Sequence, residues 1–296
     1  MSRTDIPAHP TTGTRHPGPA PAVIGATINT TARVAPALAG RLALELWRRP
    51  GRPADVRRDE RAVHDAARPG VAGPDGRQVV TYAWGDGASP VLLVHGWGAR
   101  ASRFADLVTA LLAAGHSPVA YDAWGHGASR GPAATIPEHR AVIDELERRH
   151  GRFAGVVAHS FGVPVALYAV RDGLDVDRVV TISGMSEFGY LTETFCARLG
   201  LHPPVDDQLR HAIERAYFDG DTGIWERFSA QPMPGREVLV VHDAGDTVVG
   251  RDQADRLTTA LAGGTRLVET TGLGHGRILR DPAVVAETVA FVGGVP

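Results

Sequence analysis

Seven short apolar runs, most of them continuous and rich in Val, constrain this chain more than any other feature. They are QVVTYAW from residue 78, PVLLVH from 90, SPVAYD from 117, FAGVVAH from 153, DRVVTIS from 177, REVLVVHD from 236 and TRLVETT from 265. A strand with one wet face alternates apolar and polar residues, whereas a continuous run is buried on both faces, as when helices cover both sides of a mostly parallel sheet. Helical patterns fall between the runs, near 102–114, 135–150, 161–172, 251–262 and 281–292. Strand and helix in alternation imply right-handed crossovers, so the expected fold class is α/β: a doubly wound, mostly parallel sheet flanked by helices.

The alternation breaks once. Residues 187–234 exceed what one crossover helix needs, with helical patterns near 188–199 and 206–218 and Pro203, Pro204, Pro232 and Pro234 as punctuation. An insertion after a strand's carboxyl end lies over the crevice where open sheets bind ligands, and a small helical cap is expected there. Ahead of the main domain, residues 77–296, the sequence reads as a disordered Pro-, Thr- and His-rich tail over 1–22, then a helix and connector over 23–76. The tail lacks a basic start followed by an apolar core and does not read as a secretory signal. Residues 31–49 place Leu38, Leu42 and Leu46 at intervals of four, with Leu44 and Trp47 nearby. That pattern suits a helix packed on the core; with Arg41, Arg48 and Arg49 it also suits one lying on a membrane surface.

Charge and cysteine content narrow the partners. With 31 basic and 33 acidic residues the formal net charge is −2, which gives no broad attraction to nucleic acid or anionic membrane. No run approaches the roughly 18 apolar residues of a transmembrane helix. The single Cys196 forms no intramolecular disulfide, reads as a helix-packing residue, and leaves a cytoplasmic location as the expectation.

Polar residues collect where the apolar runs end. In GVVAHSFGVPVAL, residues 155–167, a buried strand stops at His159 and Ser160 and a helical pattern resumes. A Ser at such a turn is lifted above the sheet only if its neighbours two positions either side are small, and Ala158 and Gly162 meet that demand. The same Ser could serve as a helix N-cap. His95-Gly96-Trp97-Gly98 ends the second run, where paired glycines let amide N–H groups face outward. Asp122 and His126 end the third and are expected to hold the turn by hydrogen bonds. Asp246 follows the sixth run and His275 the seventh; singly, one reads as a helix cap and the other as a loop residue. Together Ser160, Asp246 and His275 run in the order Ser, acid, His, each at the end of a strand.

With H-G-W-G, D-x-W-G-H-G-x-S, A-H-S-F-G, H-D-x-x-D and G-x-G-H-x-x-x-L in order, the chain resembles the α/β-hydrolase superfamily over roughly 78–293. Two positions depart from the family pattern: Ala158 replaces the first elbow glycine, and Asp243 stands where glycine usually follows the strand before the acid. The resemblance implies Ser160 as nucleophile, His275 as base, and Asp246, by its spacing before TVV, as the acid in preference to Asp243. It also places oxyanion donors at the backbone N–H of Trp97 and Phe161. Relatives that open epoxides or remove halides attack through an elbow Asp, so a Ser leaves acyl transfer. An esterase-like carboxylic ester hydrolase is expected, acting on an ester, thioester or amide through an acyl-enzyme. A peptidase or lactonase on the same triad, and a catalytically silent ligand-binding relative, are the alternatives.

Trp97, Trp124, Phe161, Met185, Phe188 and Tyr190 come from loops expected near the crevice and suggest an apolar pocket for a small-molecule acyl substrate. His95, His126, His159 and His275 lack ligand spacing, and GDGAS at 85 lacks the Lys of a phosphate-binding loop. No metal, cofactor or nucleic acid is expected.

Overall fold

The computed structural model describes residues 19–74 and 76–294. An eight-stranded sheet in the order β1-β2-β4-β3-β5-β6-β7-β8 forms its frame. The strands are β1 (Arg68–Ala72), β2 (Val79–Ala83), β3 (Pro90–Val94), β4 (Ser117–Tyr121), β5 (Gly155–His159), β6 (Arg178–Ile182), β7 (Glu237–Asp243) and β8 (Thr265–Thr270). β2 runs antiparallel to β1 and β4, and every other neighbouring pair is parallel. All residues of β3, β4 and β5 are buried, as their unbroken apolar sequences require. Alternate residues feed two cores. Leu92, Val94, Val156 and Ala158 pack with α5 (Ile136–His150), α6 (Gly162–Arg171) and α10 (Arg251–Leu261). Val91, Leu93, Val157 and Ile182 pack with α4 (Ala105–Ala113) and α12 (Pro282–Val292) on the other face.

β1 falls inside the segment read as connector. Four of its five residues are exposed, and Pro69 and Gly70 give it the look of a turn. An outermost strand tolerates a Pro, because one row of its backbone groups has no ladder to join.

The helix expected over 31–49 is two helices, α1 (Pro19–Val34) and α2 (Pro36–Trp47). Pro36 lacks an N–H and forces Ala35 out of the helical region, to φ −145° and ψ 72°. α1 starts inside the segment expected to be a disordered tail, whose residues 1–18 lie outside the described ones. A short α3 (Arg61–Asp65) follows. The insertion between β6 and β7 carries α7 (Tyr190–Leu199), α8 (Pro203–Tyr217) and α9 (Ile224–Arg227), and α1 and α2 dock mainly on these helices and not on the sheet. The Asn29 side chain fixes the contact by donating to Gly200 O and accepting from His202 N.

Candidate active site

From β3 the chain turns to β4 on one side, and from β5 it proceeds to β6, β7 and β8 on the other. Such a reversal opens a crevice at the strands' carboxyl ends. Into it project the loops after β3, β5, β7 and β8, which hold Gly96, Ser160, Asp246 and His275; the last lies in α11 (Gly274–Arg277).

Ser160 sits at φ 54°, a left-handed backbone that costs a non-glycine residue about 1–3 kcal/mol. Its neighbours hold it there. Its N–H donates to Ile182 O, its carbonyl accepts from Val163 N, and α6 passes so close to β3 that a Cβ on Gly162 would lie 2.3 Å from Val94 O. Ala158 is fully buried in the sheet, which accommodates the extra methyl at that position.

A hydrogen-bonded chain runs from the hydroxyl to a carboxylate. His275 Nε2 is 3.0 Å from Ser160 Oγ, and His275 Nδ1 is 2.8 Å from Asp246 Oδ2. Asp246 Oδ1 accepts from the amides of Val248 (2.7 Å) and Val249 (3.1 Å). Burial opposes ionisation of Asp246, but the bond from His275 and the two amides outweigh it and hold the carboxyl below its usual range. Asp243 has another task. Its oxygens accept from Gly245 N, Thr270 Oγ1 and Leu273 N, which pins the loop that carries His275. The carboxylate at the imidazole is therefore that of Asp246, and Asp243 supports it from behind.

His159 braces the imidazole from the other side. Its ring lies 4.8 Å from that of His275, and its Nε2–H donates to the His275 carbonyl at 2.9 Å. Burial, reinforced by His275, lowers its pKa to about 3 and keeps it neutral.

The loop after β3 lies directly against the serine: a Cβ on Gly96 would lie 2.7 Å from Ser160 Cβ. Buried His95 fixes the next peptide. Its Nδ1–H donates to Gly96 O at 2.8 Å while its Nε2 accepts from Ala123 N at 3.0 Å. Carbonyl and N–H point opposite ways across a trans peptide, so tying down Gly96 O turns the Trp97 N–H away from His95. Among the described residues, neither the Trp97 nor the Phe161 N–H donates to a protein acceptor. Phe161 caps α6, whose dipole adds partial positive charge there.

A cavity of about 280 Å³ opens at Ser160 and His275, walled by Trp97, Phe161, Met185 and Tyr190 and by others that the sequence did not mark. Of these, Leu191, Thr194, Phe195 and Arg198 form one face of α7, and their spacing of three and four was readable once a cap helix was expected. Trp47 carried no such signal. It arrives from α2 and stacks on Trp97 at 6.1 Å. Two expected pocket residues lie elsewhere. Trp124 is buried in the core beneath the Arg77 guanidinium, 4.8 Å away. Phe188 packs on Trp225 and Phe228 and faces a small apolar hollow behind Trp97 and Phe161. Tyr190 also clamps the acid loop, since its hydroxyl accepts from Gly250 N at 2.9 Å. A wider cleft of about 740 Å³ opens between residues 48–53 and 125–133, but none of the three linked side chains reaches it.

Asp122 is structural: fully buried, it pairs with Arg100 at 3.1 Å and accepts from Tyr82 Oη and the amides of Ala101 and Ala128. Burial lowers the pKa of His126 to about 4. Cys196 is buried in the cap, where burial and Asp206 push its thiol up to about 12. No group of three His, Cys, Asp or Glu side chains among the described residues is placed to hold a metal ion.

A hydroxyl, an imidazole and an ionised carboxylate in this order can activate the hydroxyl and stabilise the imidazolium that results. Comparison with known proteins bears on the same residues. The model of the alpha/beta hydrolase family matches residues 91–288, which span the sheet from β3 to β8 and all three side chains. No curated protein matches the sequence significantly. Among solved structures, an esterase from Rhodococcus sp. ECU1013 superposes with a TM-score of 0.55 at 18% identity, covering 78% of this chain and 100% of its own. An esterase from Exiguobacterium antarcticum gives 0.56 at 18% identity, over 75% and 98% of the two chains. A 2-hydroxy-6-oxo-6-phenylhexa-2,4-dienoate hydrolase from Rhodococcus sp. strain RHA1 gives 0.56 at 19% identity, over 77% and 99%. At these identities the likeness is one of fold.

Proposed function

The chain belongs to the alpha/beta hydrolase family, and from that premise we propose that it is a serine hydrolase cleaving a carboxylic ester, or the related thioester or amide, of a small, largely apolar substrate. One observation carries the reading: His275 bridges Ser160 Oγ and Asp246 Oδ2 at hydrogen-bond distance, beside two backbone N–H groups that no acceptor among the described residues engages.

In this reading Ser160 Oγ attacks the substrate carbonyl while its proton passes to His275 Nε2, and Asp246 stabilises the imidazolium without taking the proton. The Trp97 and Phe161 N–H groups bind the oxyanion of the tetrahedral intermediate; each such donor typically contributes about 3 kcal/mol in the transition state. Collapse of the intermediate transfers the His275 proton to the leaving oxygen and leaves the acyl group on Ser160. Water, deprotonated by His275, then releases the acid. The aromatic and aliphatic walls of the cavity favour an apolar acyl or alcohol portion.

The test is turnover of short p-nitrophenyl esters together with covalent labelling by a fluorophosphonate. Both disappear in Ser160→Ala; full labelling of that variant rejects the assignment.

A further inference from the structure

Among the described residues eight large apolar side chains are exposed, and five of them lie on α1 and α2: Val23, Ile24, Val34, Leu38 and Leu42. Ile28 and Leu44 turn to the core, but the closest approaches of both helices are made by their small residues. A Cβ on Gly25 would lie 2.0 Å from Leu199 O and one on Gly40 2.4 Å from Gln208 O, and Ala39 and Ala43 are fully buried beside them. Leu38 and Leu42, one turn apart on α2, are left in solvent with Arg41 between them. An ordinary surface helix leaves no such second apolar face, because its large apolar residues gather on the side turned to the core.

Charge follows the same surface. Residues 19–49 hold Arg33, Arg41, Arg48 and Arg49 against Glu45 alone, 4 − 1 = +3, in a chain of formal net charge −2. Glu45 pairs with Arg48 and Arg49, while Arg33 and Arg41 have no carboxylate within salt-bridge distance among the described residues.

We propose that α1 and α2 form a docking surface for an anionic lipid bilayer, with Val23, Ile24, Leu38 and Leu42 entering the headgroup boundary and Arg33 and Arg41 meeting lipid phosphates. Apolar side chains flanked by arginines and almost no acids are what an interfacial helix requires. A second copy of the chain fits less well, because a two-fold contact sets the same basic patch against itself. No helix among the described residues is long and apolar enough to cross a membrane, and the attachment proposed here is a peripheral one. It also has a consequence for the cavity: Trp47, at the end of α2, lines the space at Ser160, so a docked helix pair holds that space beside the lipid. Docking itself does not depend on the proposed chemistry.

Sedimentation of the full-length chain with vesicles tests this. The protein binds phosphatidylglycerol vesicles over phosphatidylcholine vesicles, and salt weakens the binding. Arg33→Gln with Arg41→Gln weakens it about 25-fold, since each basic residue near an anionic surface contributes a factor of about five. Leu38→Ser with Leu42→Ser weakens it with all charges retained, and both pairs keep the wild-type melting temperature because the altered side chains are exposed. Ser160→Ala binds like wild type, which separates this result from the fate of the hydrolase reading. Absence of binding to phosphatidylglycerol, or binding indifferent to both pairs, overturns the proposal. So does a dimer that the Leu pair dissolves in a protein that ignores vesicles, which assigns the surface to a second copy.

Discussion

Asp246→Asn separates geometry from charge, because the structure dictates which way the new amide faces. Asp246 Oδ1 accepts from the amides of Val248 and Val249, and Oδ2 meets His275 Nδ1. Asn keeps both amide bonds only with its carbonyl oxygen in the place of Oδ1, which sets its NH2 against Nδ1. The opposite orientation strands the part-buried Val248 N–H and the buried Val249 N–H, the latter at about 1–3 kcal/mol. With a donor at Nδ1, the ring accepts there and carries its proton on Nε2, facing Ser160 Oγ at 3.0 Å. It then has no lone pair for the hydroxyl proton. Such a tautomer error lowers kcat by about 10⁴, or about 5 kcal/mol of barrier, and leaves KM little changed. Steady-state hydrolysis of a p-nitrophenyl ester, with a thermal melt to show that the isosteric variant is folded, measures this. A folded Asp246→Asn protein within about tenfold of wild-type kcat refutes the proposed role of the carboxylate.

Three further outcomes follow from the same geometry. Gly162→Ala drives a methyl against Val94 O and His95 O, neither of which can move without the strand, so it lowers stability by about 1–3 kcal/mol and lowers kcat, as read in urea melts and turnover; an unchanged melt contradicts the tight elbow. Burial opposes ionisation of Asp243, but its bonds from Leu273, Gly274, Thr270 and Gly245 hold its folded pKa below the usual carboxylate range; its contribution to stability is thus complete above about pH 4 and fades as pH falls towards the folded value. Asp243→Asn flattens that acid limb in pH-dependent melts, and an unaltered limb assigns the loss to other carboxylates. Buried His95, His126, His139 and His159 have pKa values lowered chiefly by burial, to about 4 for His126 and about 3 for His139 and His159, so these last three rings stay neutral as pH drops just below neutral. They therefore add no ionisation of their own to log(kcat/KM) between about pH 5 and 7, and an acid limb steeper than unit slope in that range refutes their assignment as neutral supports.

How much could be read without coordinates depended on how many constraints each residue obeys. The inner strands were legible because burial on both faces leaves no room for polar residues, so Leu92, Leu93 and Val157 could hardly lie elsewhere. β1 was not, because an exposed outer strand accepts Pro69 and Gly70, which read as a turn. The linked side chains were legible from chemistry and order: each is a polar residue at the end of an apolar run. Pocket walls were harder. Trp124 and Phe188 follow strands as Trp97 and Met185 do, and nothing local tells which ring turns to the crevice and which to the core. Trp47 was out of reach for another reason, since its contact with Trp97 spans about fifty residues and depends on where α2 docks on the cap.

The site is built from two halves of different origin. Ser160 and the amides of Trp97 and Phe161 form one, held by close backbone approaches at Gly96 and Gly162 that allow almost no adjustment. Asp246 and His275 form the other, carried on loops that are stabilised where Asp243 accepts from Thr270 Oγ1 and Leu273 N and where the Tyr190 hydroxyl accepts from Gly250 N. The left-handed backbone at Ser160 is tolerable only because the first half is stiff, whereas the imidazole needs its bond network because loops alone would let it turn. His159 joins them: it precedes the serine in β5, and its Nε2–H holds the carbonyl of His275. The distance between hydroxyl and imidazole is thus set by a contact between residues 159 and 275 and not by either loop alone. A buried neutral ring suits that position, because a cation there would oppose the positive charge that the proposed mechanism places on His275.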